Sequence, residues 1–341
     1  MKSERPGSIE YSLDIFRPED GPGVARLFRT VYGEGYPVKL VYDPDELTAA
    51  FNSRENIPVV VRTPDGEIIA YQALYRSAPN PDLYEAGQGL VLPAYRGIGV
   101  SRKVNHYMCD EMIPALGMEA VFGEAVCNHT AMQKSWSDVG PVETALEVDL
   151  MPREAYTAEK SASGRVATLS MFRLYRERAQ VVYLPARYEE SLKYLYSTPG
   201  IGRQDDFLPG KEGLPDKPSG LEIQVFDFAG VARIIVNEAG ADFDDLFAQK
   251  EAELAKRGMT VFQVWLKLAW PFIGNVVEIL RNRGYFLGGL LPRWFGTDGI
   301  LMQKVVGQPN WDGIRLYSER AEKIMEIVQK DWAEASRAVA V

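Results

Sequence analysis

The chain has 341 residues, 46% of them hydrophobic and 25% charged, which is the composition of a folded globular protein of more than one domain. Its formal net charge of −9 argues against a nucleic-acid partner, because such binding depends on clustered Lys and Arg. The two cysteines, Cys109 and Cys127, lack the spacing of a disulfide framework or a zinc site, so we predict no metal. The polar N-terminus and the lack of any apolar run of about 20 residues predict a cytoplasmic protein without membrane association.

The first 150 residues alternate between strand and helix patterns. Pro64, Asp65 and Gly66 form a turn signal between two β-branched runs, which predicts a hairpin. From Gly99 the apolar residues recur at helical spacing as far as Pro114. In chain order we predict strands at 13–16, 59–62, 68–75, 83–92, 120–126 and 144–150, and helices at 24–31, 100–114 and 130–136.

The second half shows a comparable alternation without repeating the sequence. We predict a loop at 197–220 and a final amphipathic helix from Trp311 that places Tyr317, Ala321, Ile324 and Val328 on one face. Strands are predicted at 165–174, 221–236 with a break at Gly230, 261–266, 285–291 and 299–305, and helices at 242–256, with Asp242 as N-cap, and 271–282. The pattern predicts an α/β (α+β) fold with domains at 1–155 and 165–306, a polar linker at 152–164 and a C-terminal helix at 311–338.

One segment, 89–104, has the properties of an anion site. A strand ends at Pro93, and a glycine-containing turn then opens a helix, whose first backbone N–H groups have no partners inside the helix. Gly97 and Gly99 lack a Cβ and therefore permit close approach of a phosphate to the backbone. Positive charge is supplied nearby by Arg96, Arg102 and Lys103.

The same segment resembles the pyrophosphate loop of the GNAT superfamily of acyltransferases, R-x-x-G-x-G/A after V-x-P. Val91, Pro93, Arg96 and Gly99 match, whereas Ser101 stands where the family usually has Gly or Ala. Downstream, Asn128 and Ala131 resemble the family's N-x-x-A beside the pantetheine arm, so the resemblance covers roughly residues 10–150. It implies tandem GNAT-like domains, each a mixed central sheet flanked by helices, and acetyl-CoA or a related acyl-CoA as co-substrate. It also implies that the backbone of Leu90, Val91 and Leu92 contacts pantetheine and that Arg96, Gly97, Ile98, Gly99, Val100 and Ser101 hold the pyrophosphate.

Acyl transfer to an amine needs a base, because an alkyl amine with a pKa near 10.4 is almost entirely protonated at neutral pH. Glu85 and Glu124 are the candidates, although each is also compatible with a structural role on its strand. The family's acid is a Tyr seven residues after the Asn, and that position is Ser135 here, so Ser135, water or no acid at all remain open. His106 is expected to be structural, and the same reading is favoured for His129.

The second half resembles a degenerate copy of the first. Residues 284–305 resemble the closing strands of a GNAT-like unit, but the half has no R-x-x-G-x-G/A, and the equivalent turn at 237–245 is acidic. We expect this half to complete a substrate cleft, with Arg293, Trp294 and Asp298 as candidates, although Trp294 also fits a core position.

These observations predict an acyltransferase that moves an acyl group from acyl-CoA to an amine of a small or medium metabolite. A non-catalytic acyl-CoA-binding sensor or partner subunit is the alternative, kept open by the missing Tyr. Aminoacyl-tRNA-dependent transferases are disfavoured, because they would require a basic face. The expected partner is a small-molecule amine, and a homodimer is left open.

Overall fold

The computed structural model describes residues 10–156, 162–201 and 207–339. The chain falls into two units, one of Met1–Ser77 with Tyr84–Val121 and one of Ala78–Leu83 with Phe122–Val341, here called unit 1 and unit 2. These bounds differ from the predicted domains at 1–155 and 165–306, which followed the order of elements along the chain and remain a prediction. The polar N-terminal residues 1–9, part of the predicted linker (157–161) and part of the predicted loop (202–206) lie outside the described residues.

Unit 1 contains four antiparallel strands in sequential order. The predicted hairpin is present, and its turn is closed by the Gly66 N–H, which donates to the Thr63 oxygen at 2.9 Å. Apolar side chains recurring every three or four residues of the first helix, among them Val24, Leu27 and Phe28, are buried against the sheet. The elements are β1 (Ser12–Ile15), α1 (Gly21–Tyr32), α2 (Pro44–Asn52), β2 (Asn56–Arg62), β3 (Ile68–Arg76) and β4 (Tyr84–Val91).

The long helix after β4 is interrupted by a π-helical turn that the sequence did not reveal. Helix α3 (Val100–His106) continues through π-turn Tyr107–Met112 into α4 (Ile113–Ala115). The sequence predicts that Pro114 and Gly117 together stop the helix. The helix ends at Ala115, so Pro114 lies just inside its end and Gly117 just beyond it. Proline removes one helical hydrogen bond and crowds the preceding turn, and a wider π-turn directly before it accommodates that disturbance.

Unit 2 contains most of β5 and an eight-strand arrangement in the order β5-β7-β6-β13-β14-β12-β11-β10, together with a two-stranded parallel pair, β8-β9. Within the eight-strand arrangement, β11 and β12 are parallel and are joined through a helix. The pairs β10-β11, β12-β14, β13-β14, β6-β13 and β6-β7 are antiparallel. The strands are β5 (Ala120–Val126), β6 (Val142–Met151), β7 (Val166–Leu174), β8 (Val182–Leu184), β9 (Phe207–Pro209), β10 (Gly220–Phe226), β11 (Val231–Glu238), β12 (Val261–Lys267), β13 (Phe286–Leu291) and β14 (Gly299–Val305). The helices are α5 (Ala131–Ser137), α6 (Glu189–Tyr196), α7 (Phe243–Lys256), α8 (Ile273–Asn282) and α9 (Glu319–Val339).

The mixed α/β class predicted from the sequence is confirmed, whereas four elements were missed. Helix α2 has nine residues, and β9 lies within the loop predicted at 197–220. Strands β8 and β9 have three residues each and α6 has eight, lengths at which periodicity carries little signal. In the part of the chain that the structure describes, no helix combines the length and apolarity needed to cross a bilayer.

The C-terminal helix is docked as predicted, with one correction at its start. Ala321, Ile324 and Val328 are buried on the expected face, but Tyr317 lies before the helix and is 49% exposed. The helix begins at Glu319 because the Ser318 hydroxyl accepts the Ala321 N–H at 3.0 Å, which is the bond of an N-cap residue.

Candidate functional site

Strand β4 carries a β-bulge in its second half. Gln88 has φ +56°, and the register with β3 shifts between the Tyr71 and Ala73 positions. The Gln88 side-chain oxygen accepts from the Asn56 amide at 3.1 Å and from the Tyr71 hydroxyl at 3.4 Å, both from buried residues. Bulges of this kind re-aim side chains and are common beside active sites. Here the bulge separates the part of β4 that carries Glu85 from the part that leads into the predicted phosphate loop.

The predicted phosphate loop lies at the surface of unit 1 and is opened by two left-handed glycines. Gly97 has φ +80° and Gly99 has φ +87°, and an added Cβ on either would meet no atom of the described residues within 4 Å. The glycines are therefore required by backbone conformation, and the space over both is open to a ligand. Ile98 between them is exposed, and the Arg96 side chain folds back so that its Nε donates to the Val91 oxygen at 3.1 Å.

The helix after this loop begins with backbone N–H groups that its own hydrogen-bond ladder does not use. Lys103 donates the first helical N–H, to the Gly99 oxygen at 3.1 Å, so the N–H groups of Val100, Ser101 and Arg102 precede the first i→i−4 bond of the ladder. These donors and the helix dipole favour an anion at this end. Of the predicted cations, Lys103 also lies over the Tyr11 ring, 4.9 Å from its centroid.

The backbone of 90–92, predicted to contact pantetheine, is partly engaged within the protein. Leu90 and Val91 pair with β3, and the Leu92 N–H donates to the Ile69 oxygen at 2.9 Å. A ligand at Leu92 would therefore compete with an existing bond for the N–H. The side chain of Leu90 is buried in the unit 1 core, whereas Val91 and Leu92 are half-buried.

Replacing Gly99 with Ala is expected to destabilise the chain by about 1–2 kcal/mol, because an L-residue with a Cβ is strained in the left-handed region. The measurement is the urea-unfolding midpoint. Gly213→Ala is the matched control, since Gly213 is exposed, is not among the positive-φ glycines, and has open space where its Cβ would lie. Equal midpoints for the two variants would contradict the assigned loop conformation.

Glu85, one of the two candidate bases, is buried on β4 with both carboxylate oxygens hydrogen-bonded. Oε1 accepts from the Tyr75 hydroxyl, and Oε2 accepts from Ser77 Oγ at 2.6 Å. Tyr75 and Glu85 are direct cross-strand neighbours, and a Cβ at Gly87 would lie 2.8 Å from the Tyr75 oxygen. The carboxylate is thus held in a fixed orientation. The absence of a side chain at Gly87 leaves room for the Tyr75 hydroxyl beside Glu85.

Sequence reasoning missed the tyrosines around Glu85. Burial raises the pKa of Tyr36, and the neighbouring Tyr32 and the charge of Glu85 raise the pKa further. Tyr36 therefore stays protonated at neutral pH and lies within electrostatic reach of the candidate base. The cross-strand placement of Tyr75 was the available signal, since the predicted strands at 68–75 and 83–92 are consecutive in the chain.

Glu124, the other candidate base, belongs to a polar cluster in unit 2. Its Oε1 accepts from the Arg233 guanidinium at 3.1 Å, and the same nitrogen lies 3.4 Å from Glu147 Oε2. Gln263 bonds both Arg233 and Glu147, and Ser170 Oγ donates to Glu147 at 2.8 Å. With the half-buried Arg233 guanidinium against it, Glu124 forms an ion pair that the sequence did not indicate.

The residues around α5 in unit 2 are anchored by a buried amide. Gln133 donates to the Val126, His129 and Arg315 oxygens. Ala131 is exposed at the start of α5, and Ser135, the predicted acid position, is half-buried on it. Asn128 and His129 are half-buried, and His129 Nδ1 has no hydrogen-bond partner among the described residues.

The other histidine lies at the surface, and two of the three predicted cleft residues line a cavity. His106 Nδ1 lies 2.9 Å from Asp110 on the same helix, a local contact at the surface. Arg293 and Asp298 are buried at the wall of a cavity of about 240 Å³ in unit 2, where Asp298 accepts the Arg293 N–H at 2.9 Å. Trp294 instead packs against Phe122 and Trp265 with ring centroids 4.9 and 4.8 Å away, which is a core position.

No protein-family model matches the chain, and no curated protein sequence matches it. The chain is similar to the solved ribosomal-protein-S5-alanine acetyltransferase from Vibrio fischeri, with 13% identity, a TM-score of 0.40, and coverage of 49% of this chain and 94% of that chain. It is also similar to the Vibrio cholerae spermidine N-acetyltransferase in complex with CoA and spermine, with 15% identity, a TM-score of 0.37, and coverage of 48% and 95%. These neighbours are GNAT acetyltransferases, the superfamily that the sequence resembles. At such TM-scores the likeness assigns neither an activity nor a site residue to this chain.

Proposed function

We propose that the chain is an acyl-CoA-dependent N-acyltransferase of the GNAT superfamily that acylates an amine of a small or medium metabolite. One observation carries the proposal: bulged strand β4 runs into a loop with Gly97 and Gly99 both at positive φ, which opens a helix whose first N–H groups face an open approach. We further propose that the protein is cytoplasmic and has no nucleic-acid or membrane partner. A homodimer remains a prediction.

The loop residues fit the pyrophosphate of acyl-CoA. The proposed contacts are the N–H groups from Gly97 to Ser101 and the guanidinium of Arg96, which stands at the end of β4. Charge-assisted bonds from such donors are stronger than neutral ones. The open space over both glycines would admit a phosphate without displacement of any described side chain. Asn128 and Ala131 are proposed for the pantetheine arm on the resemblance alone.

The chemistry requires a neutral amine at the thioester carbonyl. Acyl-CoA supplies the activated acyl group: the C–N bond forms, the C–S bond breaks, and the amine loses a proton while CoA leaves as the thiolate or thiol. Glu85 is proposed to accept that proton, directly or through water, because Tyr75 and Ser77 hold its carboxylate in a fixed orientation. Glu124 is the weaker candidate, because its carboxylate is paired with Arg233. The acid remains open among Ser135, water and unassisted departure.

Replacing Glu85 with Gln is expected to lower turnover about 100-fold at pH 7, within the range that a general base contributes. The loss should shrink toward pH 10, because alkyl amines with a pKa near 10.4 then deprotonate without help. The measurement is kcat for the parent and the variant between pH 7 and 10. Glu46→Gln, at an exposed position on α2, controls for the change in charge. A ratio of rates that is constant with pH would remove Glu85 as the base.

The alternative function is non-catalytic binding of acyl-CoA, as a sensor or partner subunit. The observation that favours it is Ser135 at the position of the family's acidic Tyr. Release of free thiol from acetyl-CoA over a panel of amines, with spermine as one member, separates the two functions. Amine-dependent thiol release supports the enzyme, whereas retained acetyl-CoA with no thiol release supports the binding protein.

A further inference from the structure

A second basic pocket lies in unit 2, at the end of β5 and the start of β7. Its cavity volume is about 320 Å³, and its wall includes Arg165, Arg315, Asn128 and Asn310. None of its lining residues in the described part of the chain is acidic. The wall therefore carries two positive charges and several amide groups, a lining suited to an anion.

The two arginines are held by carbonyl oxygens. Arg165 donates to the oxygens of Asp149, Leu150 and Ala229 at 2.6, 3.1 and 2.7 Å. Arg315 donates to the oxygens of Asp312 and Ile314 at 2.7 and 2.9 Å. Within residues 10–156, 162–201 and 207–339, neither guanidinium forms an ion pair, so neutral acceptors orient both groups without cancelling their charge.

The floor of the pocket is closely packed around one amide. Asn310 Nδ2 donates to the Arg165 oxygen at 2.9 Å. A Cβ at Gly164 or Gly313 would lie 2.8 or 2.2 Å from the same nitrogen, so a side chain at either position would displace this amide. The backbone at Arg315 is also anchored, because its N–H donates to the Cys127 oxygen at 2.6 Å. Such a wall is preorganised, which reduces the entropy lost when a ligand binds.

The nearest carboxylates offset the charge only in part. Asp149 accepts the Asn310 N–H through both oxygens, at 3.1 and 3.3 Å, and does not bond either guanidinium. Burial lowers the pKa of Arg165, although Asp149 and Glu154 act in the opposite direction. The carboxylates near this guanidinium therefore do not fully offset its desolvation, and an anionic ligand would add negative charge.

We propose that this pocket binds a small oxyanion, either as a free ion or as the phosphate or carboxylate group of a larger ligand. The bidentate geometry of guanidinium groups suits both planar and tetrahedral oxyanions. The proposal uses residues of unit 2 only and does not depend on the phosphate loop of unit 1.

The test is calorimetric titration of the full chain with sodium phosphate and, separately, with sodium acetate at low ionic strength. The titrations use an Arg96→Glu background, which removes the cation of the other candidate anion site. One equivalent of either ion is expected to bind, and Arg315→Gln and Ser163→Asp should each weaken binding about tenfold or more. Both positions are exposed, so both variants should fold, which a melting curve verifies.

Arg257→Gln is the matched control, because Arg257 is an exposed arginine paired with Asp227 away from the pocket wall. Binding of phosphate but not acetate would identify a tetrahedral oxyanion as the ligand chemistry, and the reverse would identify a carboxylate. Binding of neither ion, equal affinity in Arg315→Gln, or an equal loss in Arg257→Gln would each overturn the proposal. Because the background already lacks Arg96, these outcomes are independent of whether acyl-CoA binds.

Discussion

Arg96→Glu is expected to weaken binding of CoA and acetyl-CoA about 100-fold. The change removes a guanidinium at the end of β4 and places a carboxylate where two phosphates are proposed to bind. A hydrogen bond to a charged group is worth about 1.5–3 kcal/mol, and repulsion between like charges adds to the loss. The measurement is calorimetric titration of the parent and variant with each ligand.

Arg26→Glu is the control for the change of charge. Arg26 is exposed on α1 in the same unit, so the variant has the same net charge without altering the loop. Affinity unchanged by Arg96→Glu would contradict the proposed phosphate site. If the parent bound neither ligand, the acyltransferase proposal itself would fail, and the loop would be a structural turn.

Asp331→Ala is expected to destabilise the chain by about 3–5 kcal/mol. Asp331 on α9 pairs with the buried Arg281 of α8 at 2.9 Å and accepts from the Tyr188 hydroxyl and the Leu287 N–H at 2.8 and 2.7 Å. Removal of the carboxylate leaves a buried guanidinium with only the distant Glu334, at 3.9 Å, and two donors without their acceptor, which is the costly way to break such a pair. The measurement is the free energy of unfolding in urea.

Two further variants separate the loss of the buried ion pair from the general effect of removing an acidic side chain from α9. Glu326→Ala changes an exposed acid on the same helix that is paired with Lys323, also exposed, and should alter stability by less than about 0.5 kcal/mol. Burial raises the pKa of Asp331 even though Arg281 lowers it, so desolvation of this carboxylate is offset only in part. Replacing both partners, as Arg281→Met with Asp331→Leu, should therefore recover much of the loss. A double variant as unstable as Asp331→Ala would contradict this account.

Most long elements of the fold could be predicted from local patterns. The strand at 120–126 and the strand at 299–305 have the predicted bounds, because apolar runs between turn residues identify buried strands. The start of α3 after Gly99 was also predictable, since a glycine turn and helical spacing meet there. The π-turn Tyr107–Met112 was not, because its residues keep helical spacing while the hydrogen bonds shift by one position.

Some features of the candidate site could likewise be predicted from the sequence, and others could not. Its phosphate loop is contiguous in the chain, so the residues from Arg96 to Ser101 could be named from the sequence. The partners of the two candidate bases could not, because they depend on register and on contacts between distant segments. Tyr75 reaches Glu85 through the pairing of β3 with β4, and Arg233 meets Glu124 across 109 positions of sequence.

By itself, the sequence determined the class of the fold, the glycine turn that opens α3 and the buried face of the C-terminal helix, all of which are properties of neighbouring residues in a periodic backbone. Only the tertiary structure decided that Glu85 is held by two hydroxyls, that Glu124 is paired with a half-buried arginine, and that Arg165 and Arg315 share one pocket. The physical reason is that charge compensation and cavity shape depend on side chains that packing brings together. Local periodicity does not indicate which residues distant in the sequence will be in contact.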